Sequence, residues 1–295
     1  MAMDREVRLK GYAITVAGVL LFTPDALFIR LAGVEPFTYT VLRGLLVAMV
    51  VAIVLFLRTG HGPWPLIRRM GWPGVWAALL NSLGGVCFIF AFANTSVANV
   101  LVYVASQPVL AAIIAWLAIR EPVRRITLYA MVGTLIGIGV VVTHSLGTPS
   151  ILGDGAALMA ALLWSGWFVV LRTHKGIDLV PSLIASGLIN AVISITLLLA
   201  TGIAWAGFAA MDWSAIGYTL ANCILLIPFA LALTTIGARY LPAAEVTLLM
   251  LIEMVLGPVW VWAILGEVPP TTTLIGGLII LLSVGSQSFF ALRRR

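Results

Sequence analysis

The sequence predicts an all-α polytopic membrane protein, with ten transmembrane helices arranged as two inverted five-helix repeats around a central cavity. The first observation is composition: 62% of the 295 residues are hydrophobic and only 9% are charged, which leaves too little polar surface for a soluble globule. The second is a series of ten long apolar stretches, and the third is the placement of Lys and Arg between them. We therefore expect lipid to surround most of the chain.

The apolar stretches have the length that a membrane crossing needs, which is about 20 residues for a helix. Most breaks between them carry Pro, Gly or charged residues, which interrupt helices. The predicted spans are 11–31, 36–57, 74–94, 97–119, 125–145, 153–173, 181–202, 213–236, 242–265 and 272–291. Only Asn94-Thr95-Ser96 divides the third span from the fourth, but one helix of their joint length would not fit a single crossing.

The positive charges predict the orientation of the chain, because cytoplasmic loops of membrane proteins are enriched in Lys and Arg. With the N-terminus in the cytoplasm, fifteen of the 17 Lys and Arg residues fall on the cytoplasmic side. Arg30 falls on the opposite side, and Arg43 lies within the second span. A miscount by one span would scramble this separation, so we expect ten crossings with both termini in the cytoplasm. The first span lacks a small-residue cleavage site and is expected to be retained.

The residue types present disfavour several classes of function. Lys and Arg are confined to short loops and are not gathered as in nucleic-acid-binding proteins, and these loops are too short for a soluble domain. Cys87 and Cys223 lie in apolar stretches, where a thiol acts as a small hydrophobic group. His61, His144 and His174 lack metal-ligand spacing, and no catalytic motif is present. We therefore expect neither an enzyme nor a metal or cofactor site.

The two halves of the chain, residues 1–148 and 149–295, carry an internal repeat. Gln107 lies fourteen residues before Glu121 in the fourth span, and Glu253 lies fourteen residues before Glu267 in the ninth. The register continues in further matched positions, namely Thr127 with Thr273, Ala130 with Gly276, and 22–30 with 164–172. A unit of five crossings has an odd number of spans, so its copy is inverted in the membrane. Inverted repeats with a substrate site at the midplane are a common plan of transporters.

Residues at particular spacings in three spans resemble the sequence pattern of a known family. Pro108 precedes Glu121 by thirteen residues, in a run that ends Leu-Ala-Ile-Arg-Glu-Pro. The ninth span carries Trp-Val-Trp-Ala-Ile-Leu-Gly-Glu over 260–267, and the second carries Leu42-Arg43 shortly after Pro36. In these features the chain is similar to the drug/metabolite transporter superfamily, specifically its bacterial ten-helix EamA-type exporters, and among these to the exporters of aromatic amino acids.

The resemblance implies a protein of the bacterial inner membrane that exports small amphipathic metabolites by alternating access, with aromatic or other neutral amino acids as expected substrates. The alternatives are export of cationic drugs or other metabolites with proton antiport and, less favoured because no filter-like segment is present, a channel. We further expect a monomer whose partners are the lipid bilayer and a small-molecule substrate, without nucleic acid. One departure is Met254, where the family usually has Pro, so the helix geometry around Glu253 does not carry over.

Three ionisable residues lie inside predicted spans, where a charge at the helix centre costs about 2.5–3.5 kcal/mol. They are Asp25, Arg43 and Glu253. Asp25 and Arg43 lie about six and seven residues from the outer ends of their spans, hence roughly 10 Å deep, and adjacent antiparallel helices can pair them. We interpret them as a structural ion pair between two helices or as a direct part of substrate binding or gating.

Glu253 lies near the middle of the ninth span, and Gln107 occupies the matching position of the fourth. A carboxyl group at that depth can bind an ammonium group or carry a proton, and the repeat-related position favours a role in substrate binding. The alternative is a protonated Glu253 that is hydrogen-bonded to a neighbouring helix. Gln107 and Glu253 are therefore candidate binding residues.

Aromatic residues within spans predict a cavity wall that binds an amphipathic solute by burial and stacking, with cation–π attraction for an ammonium group. The candidates are Tyr103, Trp164, Trp167 and Trp260. Tyr103 is expected on the helix face of Gln107, and Trp260 nearly on that of Glu253. For each of them the alternative is ordinary packing or anchoring at the membrane interface.

Prolines interrupt four of the spans, and each is expected to free a backbone carbonyl and kink its helix. They are Pro24, Pro108, Pro228 and Pro258, in spans one, four, eight and nine. Freed backbone groups are tolerated where they line a cavity, so these spans and the sixth form the expected cavity wall. Spans five and ten carry glycine clusters at 133–137 and 276–277, without internal charge, and are expected to pack closely elsewhere.

Overall fold

The structure is a computed structural model that describes residues 5–120, 125–145, 150–202, 206–241 and 243–293. Glu121, used above as a repeat marker, lies outside these residues, and the side chain of Thr127 is not described. The described residues form helices and the turns between them. The helices are α1 (Arg5–Phe22), α2 (Asp25–Ala32), α3 (Pro36–Thr59), α4 (Trp64–Asn94), α5 (Val97–Val104), α6 (Gln107–Ile119), α7 (Arg125–Ser145), α8 (Ser150–Thr173), α9 (Ser182–Thr201), α10 (Ala206–Ala209), α11 (Trp213–Leu220), a π-helix (Ala221–Leu226), α12 (Ile227–Gly237), α13 (Ala243–Leu265) and α14 (Thr271–Arg293).

Each predicted span coincides with one helix or with consecutive helices. By length and composition alone, 7 helical stretches among the described residues are suited to cross a membrane. They are Leu9–Ala32, Pro36–Thr59, Trp64–Asn94, Val97–Ala118, Ser150–Thr173, Ser182–Ala200 and Trp213–Gly237. Three shorter apolar helical stretches are Tyr129–Thr143, Leu249–Leu265 and Thr271–Ser283. These helices support a multi-pass membrane protein, while ten crossings and an inverted repeat stay predictions.

The outside of the bundle is apolar and parts of its interior are polar. Large side chains such as Leu57, Trp72 and Trp213 are exposed, beyond what a soluble monomer of this size usually leaves in water. Conversely, buried positions include charged and amide side chains such as Asp25 and Asn222. This distribution is the one expected when lipid covers the outside and the polar groups pair with one another inside.

Side-chain caps fix where three of the helices begin. Glu35 accepts hydrogen bonds from the backbone N–H groups of Phe37 (3.0 Å) and Thr38 (2.7 Å) at the start of α3. Ser96 accepts from the N–H of Asn99 at the start of α5, and Asp212 caps α11 in the same way. Because the first N–H groups of a helix have no partner within it, these caps separate the helices at the turns that the sequence predicts.

The first and fourth spans are broken near their prolines. Pro24 separates α1 from α2, and the hydroxyl of Thr23 donates to the carbonyl of Leu20 (2.9 Å), the carbonyl that Pro24 has no N–H to reach. Pro108 stands in the first turn of α6, directly after the break that ends α5. These breaks leave the first turns of α2 and α6 pointing into the interior of the bundle.

Proline has different effects on helix geometry in the eighth and ninth spans. The π-helix Ala221–Leu226 leads into α12, whose first turn holds Pro228, and such π-helical turns commonly accompany a bend at a functional site. Helix α13 runs continuously past Pro258, so a kink there stays a prediction. A further break occurs in α4 at Gly71, whose φ of 55° and ψ of −150° interrupt the helix just before the predicted third span.

Four helix pairs dominate the packing: α4 with α8, α1 with α12, α3 with α9, and α7 with α14. Glycines allow two of these pairs to approach closely. A Cβ atom on Gly44 of α3 would lie 2.4 Å from the carbonyl oxygen of Gly187 in α9, and one on Gly276 of α14 would lie 2.6 Å from that of Gly137 in α7. This is the small-residue packing expected of membrane helices, and it shows that α7 and α14, expected to pack closely, do so against each other.

Candidate functional site

An internal cavity with an empty volume of about 600 Å³ lies between helices from both halves of the chain. Its lining includes five aromatic side chains, namely Phe22, Phe88, Trp164, Trp167 and Phe168. The other lining side chains include six polar ones, namely Asp25, Arg43, Asn81, Gln107, Asn190 and Glu253. Small-molecule sites likewise combine a mainly apolar wall with a few oriented polar groups.

Asp25 and Arg43 meet at this cavity in a two-pronged ion pair. Arg43 Nη1 donates to Asp25 Oδ1 at 2.8 Å and to Oδ2 at 3.0 Å, and Nη2 donates to Oδ2 at 3.0 Å. The side chain of Asp25 is 1% exposed and that of Arg43 is 11% exposed. The break at Pro24 puts Asp25 in the first turn of α2, where the positive end of the helix dipole stabilises a carboxylate.

Two further residues hold this ion pair in place. Asn222, in the π-helix, donates its amide N–H to Asp25 Oδ1 and to the hydroxyl of Tyr39, both at 2.7 Å. Tyr39 lies one turn of α3 from Arg43, and the thiol of Cys223 lies 4.0 Å from its hydroxyl. The ion pair therefore joins α2, α3 and the π-helix, so elements from both halves of the chain fix its geometry. The amide oxygen of Asn222 is buried and has no hydrogen-bond partner among the residues that the structure describes.

Glu253 and Gln107 line the cavity from α13 and α6. They also share a smaller crevice that lies between these helices and α5. Glu253 is 8% exposed and forms no hydrogen bond with any residue that the structure describes. Arg43 is already paired with Asp25. Among the described residues, Glu253 is therefore the ionisable residue of this cavity whose carboxyl group forms no ion pair. Such a group can receive a cation or a proton.

Trp164 and Trp167 form the aromatic wall from α8. The ring of Trp164 lies 4.8 Å from that of Phe88, and its indole N–H donates to the carbonyl of Asn81 (3.4 Å). Trp167 packs on Phe168 at 4.8 Å between ring centroids, and its indole N–H has no partner among the described residues. The expected placement of both tryptophans at a cavity therefore agrees with the geometry of α8.

The structure places Tyr103 and Trp260 outside the cavity lining, in contrast to the sequence-based expectation. Tyr103 lies in α5, which ends at Val104, whereas Gln107 begins α6 after the break, so the two residues do not share one continuous helix. Its hydroxyl donates to Asp154 Oδ2 at 3.0 Å. Trp260 is 43% exposed, and its indole N–H donates to the hydroxyl of Thr23 (3.3 Å). Spacing predicts a shared face only along an unbroken helix, and the interruption expected at Pro108 falls between Tyr103 and Gln107.

A second buried polar cluster, which we call the Asp154 network, was not expected from the sequence. It consists of Asp154, Thr95, Asn99, Tyr103 and Thr273. Thr95 donates its hydroxyl to Asp154 Oδ1 at 2.7 Å, and Thr273 donates to the amide oxygen of Asn99. The signal was present, because Asp154 is a charged residue near the start of the sixth predicted span, where a position close to the membrane surface makes a charge less conspicuous.

Two comparisons with known proteins gave a match: a family matches part of the sequence, and a solved structure matches the fold. Residues 9–143 match the EamA-like transporter family. No curated protein matches the chain. A protein of known crystal structure has the same fold, with a TM-score of 0.71 at 20% sequence identity over 96% of this chain and 99% of that one. The first part of this multi-pass membrane protein is thus similar to the EamA-like transporter family, which supports a relation to the drug/metabolite transporter superfamily.

Proposed function

We propose that this protein is a transporter of the bacterial inner membrane that exports small amphipathic solutes, including aromatic and other neutral amino acids, by alternating access. The observation that carries the proposal is the cavity itself, whose lining combines five aromatic rings with polar groups from several helices. Rings bind an apolar or aromatic substituent by burial and stacking. Gln107 and Glu253 supply hydrogen bonds and a negative charge for an amino group.

The packing pattern supports two inverted repeats around this cavity. If α1–α7 and α8–α14 are related by the predicted repeat, the contact of α4 with α8 corresponds to that of α12 with α1. The pairs α3 with α9 and α7 with α14 then each join matched helices. Gln107 and Glu253, matched in sequence, face the same cavity and the same crevice. In such a plan, one repeat moves against the other around a fixed site.

Counterflow in liposomes tests the proposal. The purified protein is reconstituted with unlabelled phenylalanine or tryptophan inside, and uptake of the labelled compound is followed. A carrier gives saturable uptake that the trapped substrate accelerates, whereas a channel gives flux without this acceleration. Trp164→Ala is expected to reduce the uptake strongly, because it removes a ring of the wall, and protein-free liposomes give the background. Uptake that is neither saturable nor accelerated would reject a carrier.

A second candidate function is export of cationic compounds in exchange for protons. It is favoured by Glu253, which faces the cavity without a hydrogen-bond partner among the described residues. A carboxyl group that binds either a proton or a substrate cation, but not both, couples their movements. The same liposomes with a pH gradient decide between the candidates. Antiport requires that the gradient drive accumulation of a labelled cation, while facilitated export of a neutral amino acid leaves its final distribution unchanged.

We further propose that the protein acts as a monomer with ten crossings and both termini in the cytoplasm. The number of Lys and Arg residues on that side of the predicted topology supports this orientation. The cavity lies within a single chain, so substrate binding does not need a second copy.

A further inference from the structure

Asp154, near the start of α8, is a buried carboxylate that the substrate cavity does not use. It is 3% exposed, and no Lys, Arg or His of the described chain forms an ion pair with it. Neutral donors hold it instead: the hydroxyls of Thr95 and Tyr103, and more distantly the amide of Asn99 at 3.4 Å. These partners come from α5 and the turn before it, so the carboxylate ties the second half of the chain to the first.

The Asp154 network continues toward the ends of three more helices. Arg30, at the end of α2, donates to the carbonyl of Thr95 (2.9 Å) and lies 3.5 Å from Glu267, which follows α13. Thr273, at the start of α14, donates to Asn99. The ends of α2, α5, α8, α13 and α14 are thus joined at one end of the bundle, which we call the Asp154 end.

The network lies on the path between the cavity and this end of the bundle. Trp164, at the cavity, is ten residues beyond Asp154 on the same helix, a distance of about 15 Å. The intervening face of α8 is closely packed, with Ala157 and Ala160 fully buried. Helix α8 also approaches the backbone of the opposite turn closely, since a Cβ atom on Gly153 would lie 2.9 Å from the nitrogen of Thr95.

An exposed ion pair lies at the opposite end of the bundle. The ion pair described there joins Arg239 to Asp178 at 3.8 Å, with side chains 37% and 41% exposed. An exposed ion pair contributes little to holding helices together, because water and salt screen it. Buried hydrogen bonds around a carboxylate are stronger, and leaving any one of these groups unpaired is costly.

We propose that the Asp154 network is the gate at this end: a latch that closes the cavity and must separate in every transport cycle. The inference rests on the proposed alternating access and adds the residues that close one side. Because each buried group loses its partner when the others move, the network breaks and re-forms as a unit. A unit of this kind gives the two discrete states that a gate needs.

Thiol labelling tests whether the network closes the cavity. Cys87 and Cys223 are replaced by alanine, and Leu231→Cys in the cavity wall serves as the reporter. A membrane-impermeant thiol reagent is applied to each face of sealed membranes separately, and Val268→Cys identifies the face at the Asp154 end, since Val268 is exposed next to Glu267. Loss of one buried hydrogen bond corresponds to roughly a fivefold change in an opening equilibrium.

Tyr103→Phe and Asp154→Asn are each expected to raise labelling of the reporter about fivefold from the face at the Asp154 end, and not from the other face. Thr15→Val is the control, because it removes a hydroxyl that is equally buried but bonds to the carbonyl of Gly11 within its own helix, and it should leave labelling from that face unchanged. Tyr103→Phe keeps the ring in place, so it decides the question even if Asp154→Asn fails to fold. Unchanged labelling in folded Tyr103→Phe overturns the gate.

Cross-linking distinguishes a gate that opens during transport from a contact that only holds the helices together. In a chain with Thr95→Cys and Asp154→Cys, oxidation to a disulfide is expected to lower counterflow at least tenfold, and reduction should restore it. Full transport by the cross-linked protein would show that this end never opens and would overturn the proposal. If the wild-type protein shows no transport, the proposed function is rejected, and this result differs from rejection of the gate. The labelling experiment does not use substrate and still decides whether the network closes the cavity.

Discussion

At the residue scale, the charges of the cavity have different partners. Asp25 and Arg43 neutralise each other, and Asn222 and Tyr39 complete the hydrogen bonds of the pair. Glu253 has no such partner among the described residues. The pair is therefore suited to hold helices in place or to orient a polar group of the substrate, whereas Glu253 is suited to exchange one bound cation for another.

Arg43→Ala is expected to destabilise the protein by about 3–5 kcal/mol, because it leaves the buried carboxylate of Asp25 without its cation. Adding Asp25→Asn removes that unpaired charge and should recover a large part of the loss. Thermal unfolding in detergent measures both variants, with Arg58→Ala as a control at an exposed position. If the double variant is no more stable than Arg43→Ala, the direct pairing loses its support.

Glu253→Gln is expected to remove the dependence of transport on pH, since the amide retains the size of the side chain but neither carries a proton nor attracts a cation. Gln107→Glu offers a companion variant, because it places a carboxyl on the facing helix at the matched repeat position. Initial counterflow rates between about pH 5 and 8 are the measurement. A Glu253→Gln protein with wild-type rates and wild-type pH dependence would exclude a functional carboxyl here.

At the element scale, breaks within spans decide what each helix presents to the interior. The separation of α1 from α2 at Pro24 brings Asp25 to a helix N-terminus at the cavity. The break before Pro108 separates Tyr103, which donates to Asp154, from Gln107, which lines the cavity. The π-helix likewise presents Asn222 to Asp25. Continuous helices such as α3 and α9 instead provide rigid surfaces that pack through glycine.

Gly44→Ala is expected to destabilise the bundle by about 1–3 kcal/mol, because the new Cβ would lie 2.4 Å from the carbonyl oxygen of Gly187 and push α3 away from α9. Gly139→Ala is the matched control, since a Cβ on Gly139 meets nothing within 4 Å. The midpoints of thermal unfolding should fall for Gly44→Ala and not for Gly139→Ala. Equal midpoints would mean that α3 and α9 do not approach each other this closely.

At the scale of the whole molecule, two sets of helices surround one cavity, and the Asp154 network closes one end. The predicted topology places the connections between spans alternately at the two ends of the bundle. Accordingly, Glu267 lies at the Asp154 end and Asp178, which pairs with Arg239, lies at the other. If each half crosses the membrane five times, as the sequence predicts, equivalent connections of the two halves lie on opposite faces of the membrane.

Single cysteines in the connections test this topology. His61→Cys and Gly176→Cys are expected to react with an impermeant thiol reagent from the cytoplasmic face, and Gly202→Cys and Val268→Cys from the opposite face. The chain without Cys87 and Cys223 serves as the background. Labelling of Gly176→Cys and Gly202→Cys from the same face would contradict a crossing by α9, and with it the inverted arrangement.

The sequence by itself determined the apolar helices, their approximate bounds and the depth of Asp25, Arg43 and Glu253. These properties depend on local composition, because any apolar stretch of sufficient length is driven into lipid as a helix. The sequence also indicated Trp164 and Trp167, which share an unbroken helix, as cavity residues.

Only the tertiary structure decided which side chains meet. The rotation of each helix and the bends within it are set by packing against neighbours distant in the chain. For this reason Asn222 reaches Asp25 across 197 positions and Tyr103 reaches Asp154 across 51. The same packing leaves Trp260 half-exposed on the outside of α13 and Glu253 inside. Composition fixes whether a side chain lies in the membrane, but its partners follow from how the helices fit together.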